Sequence, residues 1–481
     1  MANTRLNSDI EETKHAPLCV DLDGTVVISD TLLESLLRLA RQSPITLLLF
    51  PAWLLRGKAF FKAQVADRVD LDPKTLPYNE SVVEYLHREK SKGRTIVLAT
   101  AANEKIAAAV SDHLDLFDVV LASDSETNLS GQRKLQRMEQ LYGEGGFDYV
   151  GNGRVDLSIW EHAREAIVVN PERGVMRALS SLKEPSLVLE TPKPGFTTVI
   201  KAVRLYQWLK NGLIFIPLLA AHQWGATALT NALLAFIAFG LCASGGYLVN
   251  DMLDLAADRA HPTKRNRPLA SGILSIPAGV ILSTGMIVSG FLIGGFLPIE
   301  FLGLLFLYLV STLTYSMYLK RLALVDVLTL AGLYTLRVVA GGAAVSVAIS
   351  FWLLAFSMFL FLSLALVKRA AELEASESDR KVKGRGYDSA DLEQLNTMGI
   401  ASGYLAVLVI ALYINSDDVV LYYQRPEALW FICPVLLFWV SRLWLRTSRG
   451  QMHYDPLLFA VKDRISQLSG LAILVIGFLA M

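Results

Sequence analysis

Cysteine is scarce. Cys19, Cys242 and Cys433 stand far apart and mostly in apolar runs, which excludes a disulfide framework or a cysteine metal site and leaves them as small core residues. Net charge is missing too: 45 basic residues balance 45 acidic ones, so no overall field favours nucleic acid. The first residues lack the apolar stretch of a signal peptide, since positions 8–12 are polar and acidic; entry into a membrane is expected to fall to internal segments. No internal repeat is evident, which disfavours a non-enzymatic carrier of anionic lipid or metabolite built around broken helices. Apolar residues, by contrast, abound. At 53% hydrophobic with mean hydropathy +0.41, the chain is too apolar for a soluble globule, and 481 residues are too many for one compact domain.

One stretch organises the rest: Asn250-Asp251-Met252-Leu253-Asp254-Leu255-Ala256-Ala257-Asp258, running on to Lys264-Arg265-Asn266-Arg267-Pro268. On a helix, Asp251, Asp254 and Asp258 fall at i, i+3 and i+7 and share one face, with Asn250 beside Asp254. Crowded carboxylates repel, and hard oxygen ligands suit Mg²⁺, which also keeps contacts to substrate phosphates. The bland alternative is a solvated acidic helix end. Lys264, Arg265 and Arg267 directly behind the acids favour a diphosphate site at the mouth of an apolar bundle. N-D-x-x-D-x-x-x-D followed by K-R-x-R-P-L-A-S-G resembles the first aspartate-rich motif of the UbiA superfamily of intramembrane prenyltransferases. The resemblance implies that Asp251, Asp254 and Asp258 hold Mg²⁺, with Asp251 and Asp254 the catalytic pair.

Ahead of that region, short apolar runs alternate with amphipathic stretches. Leu18-Cys19-Val20, 95–99, 119–122, Tyr149-Val150 and 167–169 read as buried parallel strands with helices between them, an α/β Rossmann-like sheet whose ligands gather at strand C-termini. The residues there are Asp21-Leu22-Asp23-Gly24-Thr25, Thr100, Lys134, and Gly151-Asn152 leading to Asp156. These four stations resemble the haloacid dehalogenase (HAD) hydrolase superfamily. By that resemblance Asp21 is the nucleophile, Asp23 the general acid and base, Thr100 and Lys134 hold the phosphoryl group, and Asp21, Asp156 and Asn152 hold Mg²⁺. The family usually carries an acid where Asn152 stands, which lowers the expected metal affinity and leaves open a domain that keeps the fold without the activity.

The insert between Thr25 and Thr95 reads as a small helical cap. Its run Ile45-Thr46-Leu47-Leu48-Leu49-Phe50-Pro51-Ala52-Trp53-Leu54-Leu55, flanked by Arg41, Arg56 and Lys58, is too short to span ~30 Å of hydrocarbon. It fits cap core and membrane-surface anchor equally well. The expected domains are 1–182, a proline-rich linker 183–196, and a membrane domain 197–481.

That last domain is expected to be an all-α polytopic bundle of nine transmembrane helices, near 198–221, 227–249, 273–295, 299–319, 322–345, 349–368, 396–414, 428–446 and 463–480. Bases concentrate after the second, fourth, sixth and eighth segments, the sixth being followed by Lys368, Arg369, Arg380, Lys381, Lys383 and Arg385. The positive-inside rule then puts the N-terminal domain and the aspartate-rich loop in the cytoplasm and the C-terminus outside, in a cell inner membrane. Arg337 lies deep within the fifth segment and is expected to serve an anion in a central cavity.

In aromatic prenyltransferases of the superfamily a second aspartate-rich motif follows the sixth segment. Here that station reads Lys368-Arg369-Ala370-Ala371-Glu372-Leu373. With Gln207-Trp208-Leu209-Lys210-Asn211, Tyr315-Ser316 before Lys320 and Asp326, Arg337 before Gly341-Gly342, and Asp455-Pro456 before Lys462-Asp463-Arg464, it resembles the decaprenyl-phosphate phosphoribosyltransferase branch. A leucine-tyrosine pair at 205–206 replaces that branch's proline. The resemblance implies phosphoribosyl diphosphate and a polyprenyl phosphate lipid as substrates, making a glycan precursor. It implies substrate contacts from Asn250, Lys264, Arg265, Arg267, Tyr315, Lys320, Arg337, Lys368 and Arg369. The HAD-like domain would then remove the 5-phosphate. Two alternatives stay open: transfer of a polyprenyl group from its diphosphate to an aromatic acceptor, and the carrier. A homo-oligomer is compatible with either enzyme.

Overall fold

The computed structural model describes residues 16–191, 194–375, 386–420, 423–452 and 455–481. Arg380, Lys381, Lys383 and Arg385 lie outside the described residues. Two compact units emerge, Met1–Ala202 with Asp251–Gly279, and Val203–Asn250 with Val280–Met481. The aspartate-rich segment packs with the first unit, although in the sequence it lies between two apolar segments of 197–481.

In the first unit six parallel strands, β1 (Leu18–Val20), β2 (Ile96–Asn103), β3 (Val119–Ser123), β4 (Asp148–Gly151), β5 (Ala166–Val169) and β6 (Leu187–Leu189), form one sheet in the order β3-β2-β1-β4-β5-β6. Five were expected. The sixth comes from the supposed linker: three half-exposed residues at a sheet edge give too weak an apolar signal to separate from a proline-rich connection. Alternation along the strands feeds two cores. Leu18, Val20, Ile96 and Leu98 pack in one, Cys19, Val97, Ala99 and Tyr149 in the other, so both faces are covered as a parallel sheet requires. The chain order reverses around β1, and the crevice at such a switch point is where α/β sheets bind ligands.

The insert between β1 and β2 is helical as expected, with helices Thr31–Gln42, Phe50–Leu55, Lys58–Arg68 and Glu80–Ser91. Leu39, Trp53, Phe61, Val65 and Val69 form its own small core.

The second unit is all α. Among the described residues seven helices are long and apolar enough to cross a membrane, among them Ala226–Leu253, Val325–Ala344 and Phe351–Glu374, and an eighth span is made if Pro456–Lys462 and Arg464–Ala480, bent by 83°, count as one. Nine were expected, and seven or eight are found among the described residues. The difference lies in the first segment, which is not one helix: Phe196–Val203 stops at Arg204, whose φ is 55°, a 3₁₀ stretch follows over Leu205–Phe215, and Ile216–Ala220 resumes. Gly341 accommodates this, since a Cβ there would come within 2.1 Å of the Ile214 carbonyl oxygen. The break carries Lys210 and Asn211 into the interior, where both are buried. All three cysteines are free and buried.

Candidate functional site

Three clusters of functional side chains result, each described within its own unit. The first sits at the C-terminal ends of β1, β2 and β4. Asp21 follows β1, and its backbone N–H donates to Val150 O of β4 at 2.9 Å. Lys134 Nζ lies 3.0 Å from Asp21 Oδ1 and 3.0 Å from the Tyr149 hydroxyl, which in turn donates to Asp156 Oδ1 at 2.8 Å. Asp156 Oδ2 accepts from the backbone N–H of Asn152 and Gly153 at 3.1 and 2.9 Å. Both oxygens of Asp156 are therefore engaged by its own chain, and through Tyr149 it positions Lys134. Thr100 is fully buried in β2 and accepts from Ala102 N at 3.0 Å. Gly24 has φ +74°, and a Cβ there would stand 2.2 Å from Asn152 Nδ2, so the glycine lets the two loops close over Asp21.

Burial raises the Asp21 carboxyl above its ordinary range, with Lys134 opposing. Burial, then the neighbouring Asp30, pushes Asp23 up to about 7, where a carboxyl can both give and take a proton near neutrality. Asp23 Oδ1 also accepts from Thr31 N at 2.8 Å, at the start of the first cap helix. The cap adds a residue the sequence reading did not single out: Lys62 Nζ donates to Ala101 O at 2.6 Å and Asn128 Oδ1 at 2.8 Å, beside Thr100. Its charge lies within the field of Asp23, Asp30 and Asp21, while burial lowers its pKa. A single lysine in this helical insert has no spacing that would announce it.

The second cluster is the aspartate-rich segment. Here the expected continuous helix is broken: Ala226–Leu253 ends, Asp254 caps a new turn, and Leu255–Ala260 follows. Asp251 and Asp258 converge on Arg267, whose Nη1 lies 3.1 Å from Asp251 Oδ1 and also meets Asp258 Oδ2. Asp254 pairs with Arg41 of the first cap helix at 2.9 Å. Lys264 and Arg265 are exposed on a short 3₁₀ turn. Among the described residues no group of three acids is gathered tightly enough to hold a metal ion unaided. A guanidinium bridging Asp251 and Asp258 nevertheless marks a place for positive charge between hard oxygen donors, and that donor set fits Mg²⁺. The packing has its own hub. Arg259 gives Nη2 and Nη1 to Glu34 at 2.7 and 3.1 Å, and donates to Thr75 O at 3.0 Å and Ala270 O at 2.8 Å. The pairings of Arg41 with Asp254 and of Glu34 with Arg259 escaped the sequence reading because the partners lie far apart in the chain.

The third cluster lies inside the helical unit. Arg337 is buried, with Nε 3.0 Å from Asn211 Oδ1, Nη2 2.9 Å from the Tyr308 hydroxyl, and Nη1 on Leu333 O. Its guanidinium lies over the Tyr308 ring at 4.7 Å. Every one of these partners is neutral. Lys210 and Lys368 share Asp455, at 2.6 and 3.5 Å, and the Tyr334 hydroxyl reaches the same oxygen at 3.4 Å. Arg369 is paired with Asp326 and Glu372 and donates to the Tyr315 hydroxyl at 2.8 Å; Tyr315 donates to Asp326 Oδ1 at 2.7 Å. Lys320 stands on the turn Leu319–Arg321, and Asn250 is half-buried near the end of its helix. Arg337, Lys368, Arg369 and Tyr315 thus occupy one helical unit, together with Lys210, Asn211 and Asp455, which the sequence reading held only as parts of motifs.

Residues 213–456 match the UbiA prenyltransferase family. An uncharacterized protein, y4nM, of Sinorhizobium fredii is 36% identical over 94% of this chain and 89% of its own length, so the likeness runs through both units. Decaprenyl-phosphate phosphoribosyltransferase of Mycobacterium tuberculosis is 30% identical over 60% of this chain and 95% of its own. Among solved structures, a UbiA homolog from Archaeoglobus fulgidus bound to DMAPP and Mg²⁺ aligns with TM-score 0.47 and 16% identity, covering 59% of this chain and 98% of that one. The chain belongs to the UbiA prenyltransferase family, as a multi-pass membrane protein that carries a domain built on a six-stranded parallel sheet ahead of its UbiA domain.

Proposed function

We propose that the UbiA domain transfers a 5-phosphoribosyl group from phosphoribosyl diphosphate to a polyprenyl phosphate, and that the HAD-like domain removes the 5-phosphate from the product. The observation that carries the first step is the buried Arg337, whose hydrogen-bond partners among the described residues are all neutral, together with a station in the sequence where Lys368 and Arg369 stand in place of a second aspartate-rich motif. Buried positive charge without a carboxylate calls for an anionic ligand. In the reaction an oxygen of the lipid phosphate bonds to ribose C1 while the bond from C1 to the diphosphate oxygen breaks and diphosphate leaves with the electron pair. The lipid phosphate is already ionised, so no general base is needed. Arg337, Lys368 and Arg369 compensate the charge of two anions that must meet, and Lys264, Arg265 and Arg267 serve the donor's phosphates. Mg²⁺ held by Asp251, Asp254 and Asp258 would supply charge stabilisation to the departing diphosphate.

In the second step Asp21 attacks the 5-phosphate phosphorus, the bond to the ribose oxygen breaks, and Asp23 protonates that oxygen. Water then attacks the aspartyl phosphate, with Asp23 taking its proton. Thr100 and Lys134 hold the phosphoryl oxygens, and Asp21, Asn152 and Asp156 would face Mg²⁺. The loop charges support a cytoplasmic N-terminal domain and aspartate-rich segment. The test incubates the full-length protein with phosphoribosyl diphosphate and polyprenyl phosphate and reads lipid masses. Wild type should accumulate polyprenyl phosphoryl-ribose, and Asp21→Asn should stop one phosphate earlier at an unchanged transfer rate. Identical product masses would refute the second step. No pentose adduct, with activity instead on a polyprenyl diphosphate and 4-hydroxybenzoate, would refute the first.

A further inference from the structure

The apolar run of the cap divides into two faces. Phe50 and Trp53 turn inward and pack against Phe61, with ring centroids 5.3 and 6.5 Å away. Ile45, Leu48, Leu54 and Leu55 turn outward, exposed by 78%, 78%, 52% and 90%. Elsewhere in the same unit exposed apolar side chains stand singly, as Leu141, Val155 and Leu182 do, or in twos, as Val119 with Val120 and Phe196 with Ile200. Here they are concentrated on one short element, Pro44–Leu55. Such a concentration marks an interaction surface.

We propose that this face of Pro44–Leu55 seats in the headgroup and acyl boundary of an anionic bilayer. Charge supports that occupant: between Glu34 and Asp67 the chain holds Arg38, Arg41, Arg56, Lys58 and Lys62 and no acidic residue. An outward apolar face flanked by bases is the make-up of an interfacial helix. Placement supports it as well. Arg41, three residues before Pro44, donates to the carbonyl of Leu253 at 3.2 Å and pairs with Asp254. Leu253 is the last residue of the membrane span Ala226–Leu253, whose apolar run gives way to Asn250-Asp251. The end of a span lies at the bilayer surface, so Arg41 fixes the start of the apolar run at that level. Directly after Leu55, Arg56 and Lys58 line a cleft of about 500 Å³ shared with Asn128, Arg133 and one acid, Glu126, so its three bases leave it net cationic beside the apolar face.

The test places single spin labels on the full-length protein at Leu48→Cys and Leu55→Cys, with Leu182→Cys as the water-exposed reference. The protein is reconstituted in phosphatidylcholine bilayers containing phosphatidylglycerol. Collision with oxygen should outweigh collision with a water-soluble nickel chelate at 48 and 55, and the ratio should reverse at 182. Replacing the anionic lipid by phosphatidylcholine alone should lower the oxygen preference at 55. A ratio at 48 and 55 equal to that at 182 would overturn the proposal. So would dipolar broadening that disappears on dilution with unlabelled protein, because a second copy of the chain would then cover the face.

Discussion

Replacing Glu34 by alanine gives the sharpest test of how the aspartate-rich segment is held. Glu34 accepts from both terminal nitrogens of Arg259, at 2.7 and 3.1 Å, and the two side chains are only 5% and 9% exposed. Removing one member of a buried pair costs about 3–5 kcal/mol, chiefly because the remaining charge is left unneutralised. Arg259 would keep the carbonyls of Thr75 and Ala270, which puts the cost at the lower end, about 3 kcal/mol. If that free energy is spent on local opening, the open population of the segment rises by about 100-fold, at 1.4 kcal/mol per factor of ten. Hydrogen exchange followed by mass spectrometry on the full chain reads this directly in peptides covering 255–272. Glu34→Ala and Arg259→Met should each lose protection, and the double variant should regain most of it, because no unpaired charge then remains. Unchanged exchange in Glu34→Ala would refute the reasoning, and so would a double variant as labile as the two single effects added together.

Asp251→Ala should abolish transfer while the helices stay folded, since the side chain meets Arg267 and holds no apolar core; near wild-type turnover, measured against Mg²⁺ concentration, would remove it from the metal site. Arg337→Met should lower kcat by about 100-fold, the usual loss for a preorganised donor in a dry site, and wild-type kinetics with phosphoribosyl diphosphate would show that no substrate anion meets it. Asn152→Asp restores a carboxylate beside Gly24 and should lower the Mg²⁺ concentration for half-maximal phosphatase activity by about tenfold. An unchanged Mg²⁺ titration would place the metal elsewhere.

The ends of two strands were legible because they are fixed by the apolar run before them. Asp21 follows Leu18-Cys19-Val20, and Asn152 follows Tyr149-Val150 with only Gly151 between, so reading the runs located both residues, whereas Thr100 lies within β2 and Lys134 on the helix Gln132–Tyr142. What the structure adds is who touches whom. Asp156, expected on metal, also accepts from Tyr149 and two backbone N–H groups, and nothing in a strand tyrosine announces that. Helical spacing put Asp251, Asp254 and Asp258 on one face, yet the helix stops at Leu253, and Asp254 answers to Arg41 from a different element. A period of 3.6 predicts neighbours only while the helix continues. Hydropathy likewise counted Phe196–Val203 and the stretch to Ala220 as one span, because it sees side chains and not the left-handed backbone at Arg204. The charge pairings Lys210–Asp455 and Arg369–Asp326 join helices distant in sequence, and spacing carries no trace of them.

These pairings also rank how the basic groups can meet phosphate. Asp455 is shared between Lys210 and Lys368, and Arg369 is held by Asp326, Glu372 and Tyr315, so an incoming anion competes there with a carboxylate already in place. Lys134 is engaged in the same way by Asp21. Arg337 alone among these bases has only neutral partners, an amide, a carbonyl and a phenol, none of which must be displaced as a charge. Its desolvation is already spent in the folded chain, and its geometry is fixed by three hydrogen bonds and the Tyr308 ring. Such a group gains most from a first anion, because no existing ion pair has to break. The paired bases then respond second, redistributing between Asp455 or Asp326 and the ligand as its charge moves during transfer. On this reading Arg337 anchors a substrate phosphate in the ground state, and the lysine and arginine at 368 and 369 act on the charge that develops as the glycosidic bond to diphosphate breaks.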